Sequence, residues 1–131
     1  MDSHVNKLIE LGYVPISCNT KKIPICKEWT TITIDNCIDK IKKNCNIGLL
    51  TGNKSGITVV DIDVKDKGLS TWQQLIELHG EPKTIKVRTG SGGLHYYFKY
   101  TNQLKSDSKV IVFEGEKVGI DIKNDGNKIL L

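Results

Sequence analysis

At 131 residues the chain is about one domain long, enough to bury a core without disulfides or a structural metal. Its 19 Lys plus Arg against 15 Asp plus Glu give a formal net charge of +4, which permits contact with a polyanion without demanding it. No signal peptide and no apolar run of transmembrane length is recognisable, so the expected setting is cytoplasmic, with no membrane partner.

The positive excess is uneven. Residues 1–54 hold 8 Lys against 5 acids, whereas residues 55–131 hold 11 Lys plus Arg against 10 acids. The four cysteines, Cys18, Cys26, Cys37 and Cys45, are spaced 8, 11 and 8 apart with no Cys-x-x-Cys pair. That spacing argues against a zinc ribbon or knuckle and for free thiols in a reducing compartment.

In chain order, Ser3 to Leu11 reads as a short helix with Val5, Leu8, Ile9 and Leu11 as its apolar stripe and Gly12 as its stop. Tyr13 to Ile16 reads as a strand, and Asn19 to Glu28 as a polar loop. From Thr33 to Asn44, Ile34, Ile38 and Ile41 fall at helical spacing. Lys40, Lys42 and Lys43 then sit where a helix dipole favours cations, so a second helix is expected. Ile47 to Leu50 and Ile57 to Asp63 read as strands joined by a turn at 52–56. The Ser70-x-x-Gln73 spacing is that of a capping box opening a helix, with Trp72, Leu75, Ile76 and His79 on one side and Gly80 at its end. Strands follow at Thr84 to Thr89, with Ile85 and Val87 on one face and Lys86 and Arg88 on the other, then at Leu94 to Tyr100 and Val118 to Lys123. The order of elements predicts an antiparallel-rich sheet with helices on one side.

Three stretches carry candidate chemistry. Val59-Val60-Asp61-Ile62-Asp63 is an apolar strand ending in two carboxylates on one face, with Ile62 turned the other way. Like charges this close raise one another's pKa unless a cation separates them, and Mg²⁺ or Mn²⁺ takes carboxylate oxygens. The competing reading is a strand exit with two solvated aspartates. Thr89-Gly90-Ser91-Gly92-Gly93-Leu94-His95 is either a flexible hairpin or a phosphate cradle. In a cradle, glycine N–H groups, the Ser91 hydroxyl and His95 would converge on an anion. In Gly119-Ile120-Asp121-Ile122-Lys123, Asp121 and Lys123 share a face. Asp121 is there a third metal ligand or a solvated acid, and Lys123 a phosphate contact or the partner of Asp121.

The ordered set, apolar-Asp-x-Asp, then Ser-Gly-Gly-x-His, then apolar-Asp, resembles the archaeo-eukaryotic primase superfamily. It is most similar to the primase-polymerase domain at the N-terminus of viral, phage and plasmid primase-helicases. Flanking residues extend the resemblance over nearly the whole chain. They include Lys22-x-Pro24, Trp29, Asn46-Ile47-Gly48-Leu49, Thr51-Gly52, Ser55-Gly56, Pro82-x-Thr84 and His95-x-Tyr97-Phe98. The resemblance implies an α+β fold, an RRM-like mixed or antiparallel sheet with flanking helices plus a small N-terminal α/β unit. The N-terminal unit is expected over residues 1–45 and the catalytic core over 46–131.

It also implies template-directed nucleotidyl transfer by a DNA primase and polymerase that uses Mg²⁺ or Mn²⁺, nucleoside triphosphates, and a single-stranded DNA template and primer. Asp61, Asp63 and Asp121 are then the metal-binding acids. His95 contacts the nucleotide's phosphates, and Ser91, Gly92 and Gly93 line the triphosphate. Two metal ions held by such an acidic trio suit the reaction. Arg88 and Lys123 are added as phosphate-facing cations, and Lys22 as a nucleic-acid or nucleotide contact or a turn-stabilising residue. Relatives continue past the third acid through a glycine-rich segment and a Pro-Pro-Ser-like stretch, so a C-terminally incomplete domain with a helicase beyond it, or a shortened paralogue, is expected. A non-catalytic nucleotide- or nucleic-acid-binding remnant and a metal-dependent nuclease remain as alternatives.

Overall fold

The computed structural model describes residues 3–131. Its elements run α1 (Ser3–Glu10), β1 (Pro15–Cys18), β2 (Asn46–Leu50), β3 (Ile57–Ile62), α2 (Gly68–His79), β4 (Ile85–Arg88), β5 (Leu94–Lys99), β6 (Val112–Phe113), β7 (Glu116–Lys117), β8 (Ile120–Lys123) and β9 (Lys128–Leu130). The fold is α+β, and every strand pair is antiparallel. Among the described residues, no helix is long and apolar enough to cross a membrane.

Two sheets and a hairpin make up the β structure. The core sheet has strand order β4-β5-β3-β8, the small sheet β1-β2-β9, and β6 pairs with β7. The small sheet therefore takes strands from both sides of residue 46. Between β2 and β3 the chain turns at 52–56, where Gly52 and Gly56 both adopt left-handed φ, and passes from one sheet to the other.

One face of the core sheet carries α2. Ile62, Leu94, Tyr96, Val118 and Ile120 form the core there, with Leu69 and Trp72 of the helix packed on it. The Tyr96 ring lies 5.1 Å from Trp72, centroid to centroid. Its hydroxyl donates to Glu81 Oε1 at 2.7 Å, while Lys86 Nζ sits 2.9 Å from the same oxygen. The Tyr96 hydroxyl and the Lys86 ammonium hold the Glu81 carboxyl below the usual carboxylate range.

The opposite face is covered only at one end. There Val59, Ile57 and Tyr97 pack against Leu49 and Ile129 of the small sheet. Because alternate residues of a strand share a face, the seam occupies the Val59 level and leaves the Asp61 level open. A third cluster, with Val14, Ile16, Cys18, Ile32, Cys37 and Leu50, fills the far side of the small sheet. Burial pushes the Cys18 and Cys37 thiols up, and all four cysteines are free.

Local signals held where short-range bonds decide the backbone. Gly12, at φ +91°, closes α1 with its N–H on the Ile9 carbonyl, and the Tyr13 N–H bonds the Leu8 carbonyl, a Schellman ending. Gly80, at φ +88°, stops α2 in turn.

Two expectations are corrected. The helix expected over 33–44 is absent; the region holds only a short 3₁₀ turn at Cys37–Lys40, after another at Trp29–Thr31. Asn36 Oδ1 accepts the Thr33 N–H, a local bond that competes with helix, and burial of Ile32 and Cys37 anchors the segment while Ile34 stays exposed. The capping box is also absent. Helix α2 begins at Gly68 after Lys67, which is left-handed and caps nothing with its side chain, and Ser70 Oγ donates back to the Lys67 carbonyl. A Cβ on Gly68 would collide with the carbonyl oxygens of Asp63 and Gly119, so close packing on β3 sets the helix start. His79 ends up exposed rather than inward.

Candidate active site

Strand register brings three of the sequence-selected side chains into one row. Asp61 of β3 lies directly opposite His95 of β5 on one side and Asp121 of β8 on the other. Opposed residues in antiparallel strands project from the same face, here the one left open beside the small sheet. Ile62, turned the other way as expected, is fully buried under α2.

Each acid has a distinct environment. His95 is buried, and its Nε2 is 3.2 Å from Asp61 Oδ1. Asp63 sits just beyond the end of β3, exposed, with Oδ1 accepting the Lys65 N–H at 3.1 Å. Its own N–H donates to the Gly119 carbonyl, where a Cβ on Gly119 would strike the Lys65 carbonyl. Asp121 Oδ1 accepts the Lys109 N–H at 2.8 Å, and Oδ2 lies 3.9 Å from Lys123 Nζ. Lys109 adopts a left-handed φ of 50°, and its Nζ pairs with Asp66 at 3.2 Å. Segment 107–111 thus straps the outer edge of β8 and orients the Asp121 carboxylate.

A cleft of about 340 Å³ opens over this face. From the core sheet it takes in Asp61, Asp63, His95, Lys123, Arg88 and Ser91; from the small-sheet side, Lys22 and the 128–131 segment. Asp121, on the neighbouring edge strand β8, lies outside the residues that line the cleft. Among the described residues, no group of three or more His, Cys, Asp or Glu side chains is gathered closely enough to hold a metal ion as it stands.

The glycine loop divides into two kinds of position. Gly90 and Ser91 line the cleft, and Ser91 Oγ is 3.2 Å from Thr89 Oγ1. The Gly92 N–H is already used, donating to the Thr89 carbonyl, and Thr89 N–H donates to Gly93. A Cβ on Gly93 would collide with the Ile62 carbonyl, so this glycine lets the loop press against β3. Arg88 alternates toward the helix side of its strand, yet at the strand end it reaches the cleft rim, with Nη1 3.4 Å from the Gly92 carbonyl.

The chain matches the family model described as bifunctional DNA primase/polymerase, N-terminal, over residues 10–131. The chain belongs to this family. No curated protein matches it. As a primase/polymerase domain it has nucleotides and DNA as its implied substrates, and divalent metals are general in the family.

Of the charged cleft residues, Lys128 alone escaped the sequence reading of this primase/polymerase domain. Lys128 comes from β9, where the alternation of a three-residue strand says nothing about distant neighbours. Only the pairing of β9 with β2 brings it to the cleft. A smaller hollow of about 170 Å³ beside Trp29 lies apart from the acids, and its one carboxylate, Asp125, is bonded to Asn53 and Tyr100.

Proposed function

We propose that this domain carries out template-directed nucleotidyl transfer, extending a DNA primer with nucleoside triphosphates. The observation that carries the reading is the row of His95, Asp61 and Asp121 on three neighbouring strands beside an open cleft. In the reaction a primer 3′-hydroxyl oxygen bonds to the α-phosphorus of the nucleotide. The bond from that phosphorus to the pyrophosphate oxygen breaks, and the hydroxyl proton is lost.

The donor set fits a hard divalent cation. Asp61 and Asp121 are directly opposed carboxylates on neighbouring strands, and carboxylate oxygens are the ligands that hard divalent cations take. Mg²⁺ and Mn²⁺ favour oxygen ligands, and Mg²⁺ is commonly held by one or two carboxylates with waters and substrate phosphates completing the shell. Asp61, Asp63 and Asp121 would hold the ions. When bound, such ions lower the pKa of the attacking hydroxyl and stabilise charge on the leaving oxygen.

The chain's other residues bind and orient. His95, buried and steadied by Asp61, presents its ring at the cleft wall, where an N–H can donate to a phosphate oxygen. Ser91 offers a hydroxyl, and Arg88 and Lys123 offer positive charge at the rim. Positioning and charge neutralisation supply most of the acceleration in phosphoryl transfer, so these contacts are where this chain acts.

The test is incubation with a primed DNA template, nucleotides and Mn²⁺. The parent should lengthen the primer, and Asp61→Asn/Asp63→Asn should not. Shortening of the strand would assign a nuclease instead, and nucleotide binding without extension would assign a non-catalytic module. Mn²⁺ should also raise the melting temperature of the parent, because a ligand bound only by the native state shifts unfolding. An equal rise in the double variant would remove these two acids from the ion site.

A further inference from the structure

We infer that the outer edge of β4 is a docking edge for a partner protein. It takes an extended segment that alternates apolar and acidic residues and adds to the core sheet as a further strand. This pairing does not depend on the nucleotidyl-transfer reading.

The two outer edges of the core sheet differ. On β8, Ile122 exchanges N–H···O bonds with Asp107, and the Ile120 carbonyl accepts the Val110 N–H, so the strap covers that edge. Strand β4 lies at the other end of the strand order. The Thr89 N–H donates to the Gly93 carbonyl, which fixes the alternation, so that Val87 and Ile85 bond inward to His95 and Tyr97. Lys86 and Arg88 therefore turn their N–H and C=O groups away from β5. Among the described residues, no backbone hydrogen bond reaches those groups.

The side chains divide between two faces. Ile85 is 58% exposed and Val87 38%, and both share the face of His95 and Tyr97; Lys86 and Arg88 take the helix side. Charge on an edge strand guards against unwanted pairing, and the two cations fit that role. A merely guarded edge has no use for bare Ile85 and Val87 behind the cations, whereas a partner strand would cover them. Main-chain bonds then supply affinity, and alternate side chains supply the choice of partner. A second copy pairing antiparallel through its own Lys86 and Arg88 would set cation opposite cation, which is destabilising. Acidic residues at those positions are attracted instead, chiefly by Arg88, because Lys86 already pairs with Glu81 at 2.9 Å. Val87 and Arg88 also line the cleft, so the added strand would run along its rim.

The experiment titrates the full chain with a short synthetic peptide alternating valine and glutamate, capped at both ends, and follows amide exchange by NMR. Binding should slow exchange at Lys86 and Arg88. Lys86→Pro removes an outward N–H without breaking the β4–β5 ladder and should weaken binding at least about tenfold. Lys86→Ala keeps that N–H and should bind within about threefold of the parent. Ile85→Thr, which keeps a β-branched residue on the strand, should weaken binding by about threefold or more. Should the proline variant melt well below the parent, the same question is put to the other strand. A peptide N-methylated at its glutamates, whose N–H groups would face β4, should bind at least about tenfold less, and one N-methylated at its valines about equally. No saturable binding at millimolar peptide, or binding that leaves the Lys86 and Arg88 amides unchanged, would overturn the docking edge. Equal affinity for a valine–lysine peptide would overturn the acidic partner. Self-association that Lys86→Pro abolishes would give the edge to a second copy, and an oligonucleotide that slows the same amides would give it to nucleic acid; either result overturns the proposal.

Discussion

His95 Nε2 lies 3.2 Å from Asp61 Oδ1, the two residues occupying paired positions on β5 and β3. The residue proposed to meet phosphate therefore leans on a residue proposed to hold the ion. An imidazole N–H and a cation both seek the same carboxylate, so ion binding and histidine orientation are linked in one contact.

The His95→Ala variant separates the two roles. Losing a charge-assisted hydrogen bond to phosphate costs about 1.5–3 kcal/mol, roughly ten- to a hundredfold in affinity. Nucleotide affinity measured with Mn²⁺ should fall by that much, while the Mn²⁺-dependent rise in melting temperature persists. Loss of that rise would make His95 an ion ligand, and no change in either quantity would make it an ordinary strand residue.

The glycine loop should split by position. Gly93→Ala places a Cβ against the Ile62 carbonyl and should destabilise the fold by about 1–3 kcal/mol in chemical denaturation. Ser91→Ala, at an exposed loop position on the cleft, should leave stability within about 0.5 kcal/mol and weaken nucleotide binding. The opposite pattern would make Ser91 the structural residue.

Asn124 should be among the costliest single changes outside the cleft. It is fully buried; its amide donates to the carbonyls of Thr101 at 2.8 Å and Leu104 at 2.7 Å, and Oδ1 accepts the Thr58 hydroxyl at 2.9 Å. Thr51 Oγ1 donates to its backbone carbonyl, tying the end of β2 to this point. Asn124→Ala strands several buried polar groups and should cost about 2–4 kcal/mol in urea unfolding. A loss below about 1 kcal/mol would mean that water replaces the amide.

Alkaline stability should depend on Tyr97, whose hydroxyl is pushed up to about 12, chiefly by burial and secondarily by Tyr13. Below pH of about 10 the phenol is neutral in both states and contributes no pH dependence. As pH rises from about 10 to 12 the unfolded chain ionises first, so stability falls, by at most about 2.7 kcal/mol from this group. Denaturation midpoints of Tyr97→Phe should fall less steeply than those of the parent across that window. Parallel curves would place the alkaline loss elsewhere.

Features written in neighbouring residues could be read from the chain alone. Gly12 and Gly80 end their helices because left-handed φ and bonds within a few residues decide those endings. Asp61 was legible as an outward strand residue beside a buried Ile62, since alternation on a strand is local geometry. Where local preferences were balanced, packing overrode spacing: Ile34, Ile38 and Ile41 have helical periodicity, yet with Ile32 and Cys37 buried the segment forms only one 3₁₀ turn, Cys37–Lys40.

The composition of the row and of the cleft was decided only in three dimensions. Asp61 faces His95 and Asp121 because of hydrogen-bond register between strands separated by tens of residues, and no spacing within one strand specifies that register. Ile129 packs on Leu49 and Val59 through the pairing of β9 with β2, and that long-range contact is what carries Lys128 to the cleft that Lys22 also lines. Sequence patterns reveal which face a residue takes on its own element, whereas the neighbours it meets there depend on how distant elements bury their apolar faces against each other.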